Sequence, residues 1–132
     1  MKITVFAITV FLLPNIYTYF QNTELSSSIG RGRILYQDFC ITCHLPNGTG
    51  TKSVIPPLAN SNFLVNNRTE SIRAVMYGQK GNIIVNNIAY NGLMPAPGLE
   101  DDEVVDVLNY IMHSWGNDAP IMTAKEVKTI KK

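Results

Sequence analysis

This 132-residue chain contains two cysteines and two histidines, and three of those four residues fall within five positions. The segment Phe39-Cys40-Ile41-Thr42-Cys43-His44-Leu45 holds both thiols and one imidazole. Thiols so spaced beside an imidazole can close a disulfide, cycle as a redox pair, ligate zinc, or add to a macrocycle. A disulfide across two intervening residues is strained. A thioredoxin-like pair belongs in a βαβ setting, whereas the neighbouring sequence reads as helix and loop. A structural zinc site needs four ligands. Cys40, Cys43, His44 and the distant His113 supply four only if adjacent Cys43 and His44 share one tetrahedron, which would strain it.

The fourth chemistry fits. Cys-x-x-Cys-His is the pattern of c-type haem attachment. Two thiols add across two vinyl groups, and the spacing brings both sulfurs to one porphyrin edge. His44 then lies beneath the iron and offers a ring nitrogen. The expected cofactor is one covalently bound haem c with its iron, and no thiol is left for a disulfide. Candidates for the second iron ligand are Met76, Met94, Met112, Met122, His113 and Lys80. Methionine is commonly core filler. Met76 falls on the apolar face of a predicted helix and is expected to line the haem pocket. Met112 and His113 sit beside the main stripe of the last long helix, and Met122 lies in the tail. Met94 stands in a predicted loop stiffened by Pro95 and Pro97, which can hold a side chain over a haem face at small entropic cost. His44 and Met94 are therefore the expected metal ligands.

These residues need elements to position them. Ser28 is a candidate N-cap for a helix from Ile29 to Cys40, with Gly32, Tyr36 and Cys40 on one face. Gly30 and Gly32 inside it suggest close approach by another element. The stretch after His44, Leu45 to Ser61, is rich in Gly, Pro and Asn and reads as loop. A short helical turn is expected at Ser61 to Leu64. Thr69 is the expected cap of a helix carrying Ile72, Val75 and Met76, with Gly78 as its stop. Two β-rich runs flank Asn86-Asn87 and predict a small hairpin over Ile83 to Tyr90. The clearest helix spans Asp101 to Ser114, with Val104, Val107, Leu108, Ile111 and Trp115 at steps of three and four. Thr123 and Glu126 have capping-box spacing for a short final helix.

The first twenty residues read differently. Lys2 precedes the apolar run Ile3 to Leu13, and Pro14 ends it. This is the pattern of a secretory signal, so residues 1–20 are expected to be a signal peptide or, as the alternative, an N-terminal membrane anchor, followed by one domain over 26–131. The chain is expected in the periplasm or otherwise exported. Excluding Lys2, ten basic and ten acidic residues remain of the eleven and ten in the whole chain. That near-neutral balance argues against nucleic acid as a partner.

With these residues placed, the chain resembles class I cytochromes c. The resemblance runs from about Ile29 to Gly116. It is carried by "GRILYQDFCITCH", "PPLANS", "NGLMPAPG" and "DDEVVDVLNYI". The "YNGLMPAPG…SWGN" pattern is most similar to cytochrome domains fused to or partnered with periplasmic oxidoreductases. It implies an all-α cytochrome c fold with a small β-hairpin before the axial-methionine loop. Cys40 and Cys43 would form the thioethers, with His44 and Met94 as axial ligands. A carbonyl in "PPL", that of Pro56, would accept the bond from the free His44 nitrogen. Leu58 would pack on the haem, and the Gly32 and Tyr36 face would cross the last long helix near Val107 and Tyr110. Leu45 departs from the glycine common in relatives after the histidine. The implied function is one-electron transfer between redox proteins, not catalysis. A relay subunit fixed to one oxidoreductase and a ligand-binding or catalytic haem protein are the alternatives.

Overall fold

The computed structural model describes residues 23–130. The signal or anchor expected over 1–20 lies outside them. Helix α1 occupies 23–39, followed by α2 (Ile41–His44), α3 (Asn62–Asn66) and α4 (Arg68–Tyr77). Strands β1 (Gln79–Val85) and β2 (Ile88–Met94) precede α5 (Asp101–Met112) and α6 (Ala124–Thr129). The described residues are thus mostly helical with one two-stranded antiparallel sheet.

Helix α5 forms where its apolar stripe predicts. Glu100 and Glu103 close a capping box at its start, and Val104, Val107, Leu108 and Ile111 are buried. Helix α1 crosses it at Gly32. A Cβ there would collide with the Asp106 carbonyl oxygen and lie 2.9 Å from Tyr110 Cβ. One turn on, the Tyr36 ring packs 5.4 Å from that of Tyr110 and 5.0 Å from that of Trp115. Gly30 has no such neighbour, so the expected close approach belongs to Gly32 alone. Ser28 does not cap α1, because the helix already includes 23–27. Its buried hydroxyl donates instead to Asp106 Oδ1 at 2.6 Å, and Arg31 bonds both oxygens of the same carboxylate. A long-range carboxylate has taken a side chain that local chemistry would assign to a helix end.

The expected cap at Thr69 also moves. Helix α4 starts at Arg68, because Asn67 serves at once as C-cap of α3 and N-cap of α4. Gly78, at φ 81°, stops it as expected. The final capping box of Thr123 and Glu126 forms as read. Arg68 clamps this tail to α4: it bonds both Glu126 oxygens, at 2.6 and 3.2 Å, and donates to the carbonyls of Pro120 and Ile121.

The hairpin is longer than Ile83 to Tyr90. Its register runs from Val85 opposite Ile88 back to Gln79 opposite Met94. Asn86 and Asn87 make the two-residue turn with φ of 49° and 63°, the left-handed pair a tight hairpin needs. The added pairs, among them Gly81 with Gly92 and Asn82 with Asn91, are poor strand formers, so propensity hides them. Met94 consequently ends a strand and does not sit in a free loop; Pro95 and Pro97 follow it. The tip is held by Asn62 and Asn86, whose side-chain oxygens each accept from the other's backbone N–H at 2.8 and 3.0 Å. Asn86 Nδ2 also donates to the Asn60 carbonyl.

Leu45, the departure noted in the sequence, closes α2 at φ 66° and ψ 161°. Glycine visits that region freely and other residues pay on the order of 1–3 kcal/mol. The Tyr36 hydroxyl bonds the Leu45 carbonyl at 2.7 Å and helps to hold it there. Leu45→Gly is expected to stabilise the folded protein by roughly 1 kcal/mol, less if glycine's greater unfolded-state freedom offsets the relief, as urea unfolding would read. A destabilisation would show that the leucine side chain contributes more than its backbone costs. A second expectation concerns acid. Hydrogen bonds from Arg68, aided by Thr123, hold the Glu126 carboxyl down at about 2 from its ordinary 4.5. A depressed carboxyl stabilises the fold above its unfolded value and loses that contribution as pH falls through the folded one. The stability gap between wild type and Glu126→Gln should be full above pH 4.5 and close towards pH 2. A gap independent of pH in parallel urea titrations would contradict the clamp.

Candidate functional site

The end of α1, the loop after α2 and the inner face of the hairpin surround one cavity of about 1180 Å³, counting the part open to solvent. Ligand sites are concave and lined mostly by apolar side chains, as this cavity is. Its floor is the α5 stripe, Val107, Leu108 and Ile111. Among the described residues no Asp, Glu, Lys or Arg lines it.

All six residues singled out in the sequence border this cavity: Cys40, Cys43, His44, Pro56, Leu58 and Met94. Cys40 sits in the turn between α1 and α2, half-buried, and Cys43 is exposed in α2. Burial, with a smaller contribution from Cys43, pushes the Cys40 thiol up to about 11. A resting dithiol nucleophile would need the opposite shift. His44 ends α2 and is buried. Its Nδ1 lies 3.2 Å from the Pro56 carbonyl oxygen. A carbonyl only accepts, so Nδ1 must carry the proton and Nε2 keeps its lone pair. Burial lowers the pKa of the ring, against the pull of Pro56, which favours the neutral imidazole a metal requires. Leu58 is fixed through its carbonyl, which accepts from Asn117 Nδ2 at 2.7 Å. Asn117 also takes the Ser61 N–H and donates to the end of α5, tying this loop to the floor.

The hairpin contributes what the sequence reading missed. Its inner face presents Gln79, Gly81, Ile83 and Val85 from β1, and Tyr90, Gly92 and Met94 from β2. Alternate residues along "QKGNIIV" face one way, a period-two signal that glycine and asparagine weaken. Gly81 and Gly92 pair directly, and a Cβ at Gly81 would meet nothing within 4 Å. The wall is therefore recessed to bare backbone in its middle. A recess in an apolar wall, two thiols and a neutral imidazole together fit a covalently attached macrocycle.

Other candidates fall elsewhere. Met76 packs against the cluster of Ile72, Val104 and Leu108 and does not line the cavity, contrary to the pocket role expected for it. Met112 and Met122 are core residues of the same cluster. His113 bonds the Asn109 carbonyl through Nδ1 at 2.8 Å. Among the described residues no group of three or more His, Cys, Asp and Glu is placed to hold a metal ion.

Comparison with known proteins agrees with this geometry. The cytochrome c family model matches residues 29–115. Cytochrome c-552 of Thermus thermophilus is 35% identical over 102 residues, covering 70% of this chain and 78% of that protein. The gluconate 2-dehydrogenase cytochrome c subunit of Pantoea cypripedii is 34% identical over 107 residues, which cover 76% of this chain and 24% of the subunit. For the cytochrome c subunit of the quinone alcohol dehydrogenase of Gluconobacter oxydans the values are 27% over 129 residues, 84% and 24%. This chain thus spans about a quarter of each dehydrogenase subunit but most of the Thermus cytochrome. From the attachment motif, the cavity and these matches together, the chain belongs to the cytochrome c family, whose cofactor is covalently attached haem c.

Proposed function

We propose that this chain is an exported one-electron carrier whose haem is fixed by Cys40 and Cys43 and ligated by His44 and Met94. The observation that carries the reading is the convergence of His44 and Met94, fifty positions apart in sequence, on one apolar cavity. Haem iron supplies a one-electron couple there. Pro56 holds the His44 ring in the tautomer that leaves Nε2 free. The hairpin register, with Gly78 packed against the Met94 carbonyl, holds the methionine backbone in place. An apolar lining with a His and Met pair favours a high potential. With His44 and Met94 both holding the iron, no substrate would need to bind there, which would separate a carrier from a catalyst.

The relatives named as dehydrogenase cytochrome subunits favour a second reading, a relay held by one oxidoreductase, over a free shuttle. Co-purification with a larger redox enzyme distinguishes the two. Among the described residues no helix is long and apolar enough to cross a membrane. A tether, if used, would come from the N-terminal segment.

The mouth of the cavity suggests how partners meet it. Cys43, Val54, Leu93 and Pro95 line the cavity and are exposed, Val54 at 63% and Leu93 at 74%. An uncharged rim docks by apolar contact, with little electrostatic steering.

Two measurements follow. Met94→Ala should abolish the methionine–iron absorption band, lower the reduction potential by on the order of 0.1 V, and let the reduced protein bind carbon monoxide. Ready carbon monoxide binding by the wild type would instead favour an open-site haem protein. Electron self-exchange, read from NMR line broadening, should vary less than about twofold between low and high salt, and Val54→Lys should slow it and make it salt-dependent. A steep salt dependence in the wild type would contradict docking through this rim.

A further inference from the structure

The stretch Ser114-Trp115-Gly116-Asn117, just after α5, does not line the cavity, yet it holds the loop that does. Trp115 takes φ 51° and Gly116 φ 83°, a left-handed pair that reverses the chain beyond the helix. The Trp115 ring lies against Gly48, where a Cβ would stand 2.5 Å from ring carbon Cε3. The Gly48 carbonyl in turn accepts from the N–H groups of Leu58 and Ala59 at 2.7 and 2.9 Å, and the Trp115 carbonyl accepts from Asn60 at 3.1 Å.

Asn117 completes this hold. Its side chain is buried and bonds three backbone groups. Nδ2 donates to the carbonyls of Leu58 and Ile111 at 2.7 and 2.9 Å, and Oδ1 accepts the Ser61 N–H at 2.9 Å. An asparagine amide has two N–H donors, and both are engaged here. One goes to a wall residue of the cavity, Leu58, and the other to a floor residue, Ile111.

The Pro56 carbonyl, which meets His44 Nδ1 at 3.2 Å, depends on that hold. Pro56 and Pro57 carry no N–H, so this part of the loop has no backbone donor with which to anchor itself. It is suspended between the Thr51–Ile55 bridge on one side and Leu58 on the other. The two proline rings fix φ, so a shift of Leu58 is carried to the Pro56 carbonyl and not absorbed between them. Gly50 limits slack on the near side, because a Cβ there would stand 2.7 Å from the Pro56 oxygen. Resting on the reading of His44 as an iron ligand, we propose that Asn117 is a positioning residue of the haem site: through Leu58 and Pro56 it holds the carbonyl that orients the His44 ring and so sets the donor strength of Nε2.

The direction follows from the bond. A carbonyl that takes the Nδ1 proton makes the other ring nitrogen more basic. A stronger donor stabilises ferric iron more than ferrous iron, so the intact chain of contacts lowers the reduction potential. Releasing the Pro56 carbonyl should raise it.

Hydrogen exchange of the His44 Nδ1 proton, followed by NMR in the reduced haem-loaded protein, tests the proposal. In Asn117→Ala that proton should exchange about tenfold faster, the weight of one hydrogen bond, and the reduction potential should rise. Glu126→Gln loosens the tail clamp without touching the loop and should leave both quantities unchanged, which separates positioning from general destabilisation. If either quantity fails to move in Asn117→Ala, or both move equally in Glu126→Gln, the proposal is overturned. The methionine–iron band and the haem-shifted resonances of the His44 ring report ligation itself, so that reading and this one fail separately. Should Asn117→Ala not accumulate as folded protein, exchange in the wild type at low urea decides. The His44 Nδ1 proton and the Asn117 amide protons should respond to urea with one common slope, because they open together. Different slopes overturn the assignment.

Discussion

Everything in the site depends on how closely α1 can lie against α5. At Gly32 the two backbones touch, and no side chain separates them. That contact sets the crossing, and the crossing sets both ends of the cavity. The C-terminal end of α1 delivers Cys40, Cys43 and His44, while the stripe of α5 becomes the floor. A larger residue at 32 would lever the attachment segment off the floor, because protein interiors respond to added volume by displacement. Ser28, one turn before the contact on α1, bonds the Asp106 carboxylate and accepts from Asn109, and these directional hydrogen bonds fix rotation about the crossing. Asn109 extends the same network to the backbone of Met122, so the tail is registered on the crossing too.

The opposite wall is built on different terms. The hairpin has little apolar propensity over half its length, and its pairing rests on backbone bonds and a left-handed Asn-Asn turn. What it offers is shape: alternation puts Ile83, Val85, Tyr90 and Met94 inward, and the glycine pair leaves room between them. Helix and sheet thus divide the work. The helices fix where the group is attached, and the strands decide what meets its far face.

The parts of this arrangement readable from the chain are those encoded locally. The α5 stripe, the Asn86-Asn87 turn, the stop at Gly78 and the Thr123/Glu126 capping box all appear where short-range chemistry places them. The six cavity residues were readable because the attachment motif and the resemblance name them directly. Two of the misreadings share one cause, a side chain whose partner is distant in sequence. Ser28 reaches Asp106, 78 positions on, and so does not cap. Met76 turns to a core built from α5 and α6. Gly81, Asn82, Asn91 and Gly92 enter strands because Met94 and Gln79 must pair beyond them. Nothing local announces Asn109 or Asn117, which are buried and serve five backbone groups between them.

The asparagine contacts at the hairpin tip have a consequence for how the molecule responds to its surroundings. Asn60, Asn62 and Asn86 hold the tip with neutral amides and backbone groups alone. No proton can be added to or taken from such a latch in any ordinary medium, and dissolved ions have no net charge there to screen. The tail, by contrast, is joined to α4 by an ion pair, Arg68 with Glu126. Acidity and salt therefore act on the Arg68–Glu126 pair and leave the asparagine latch of the hairpin tip unchanged.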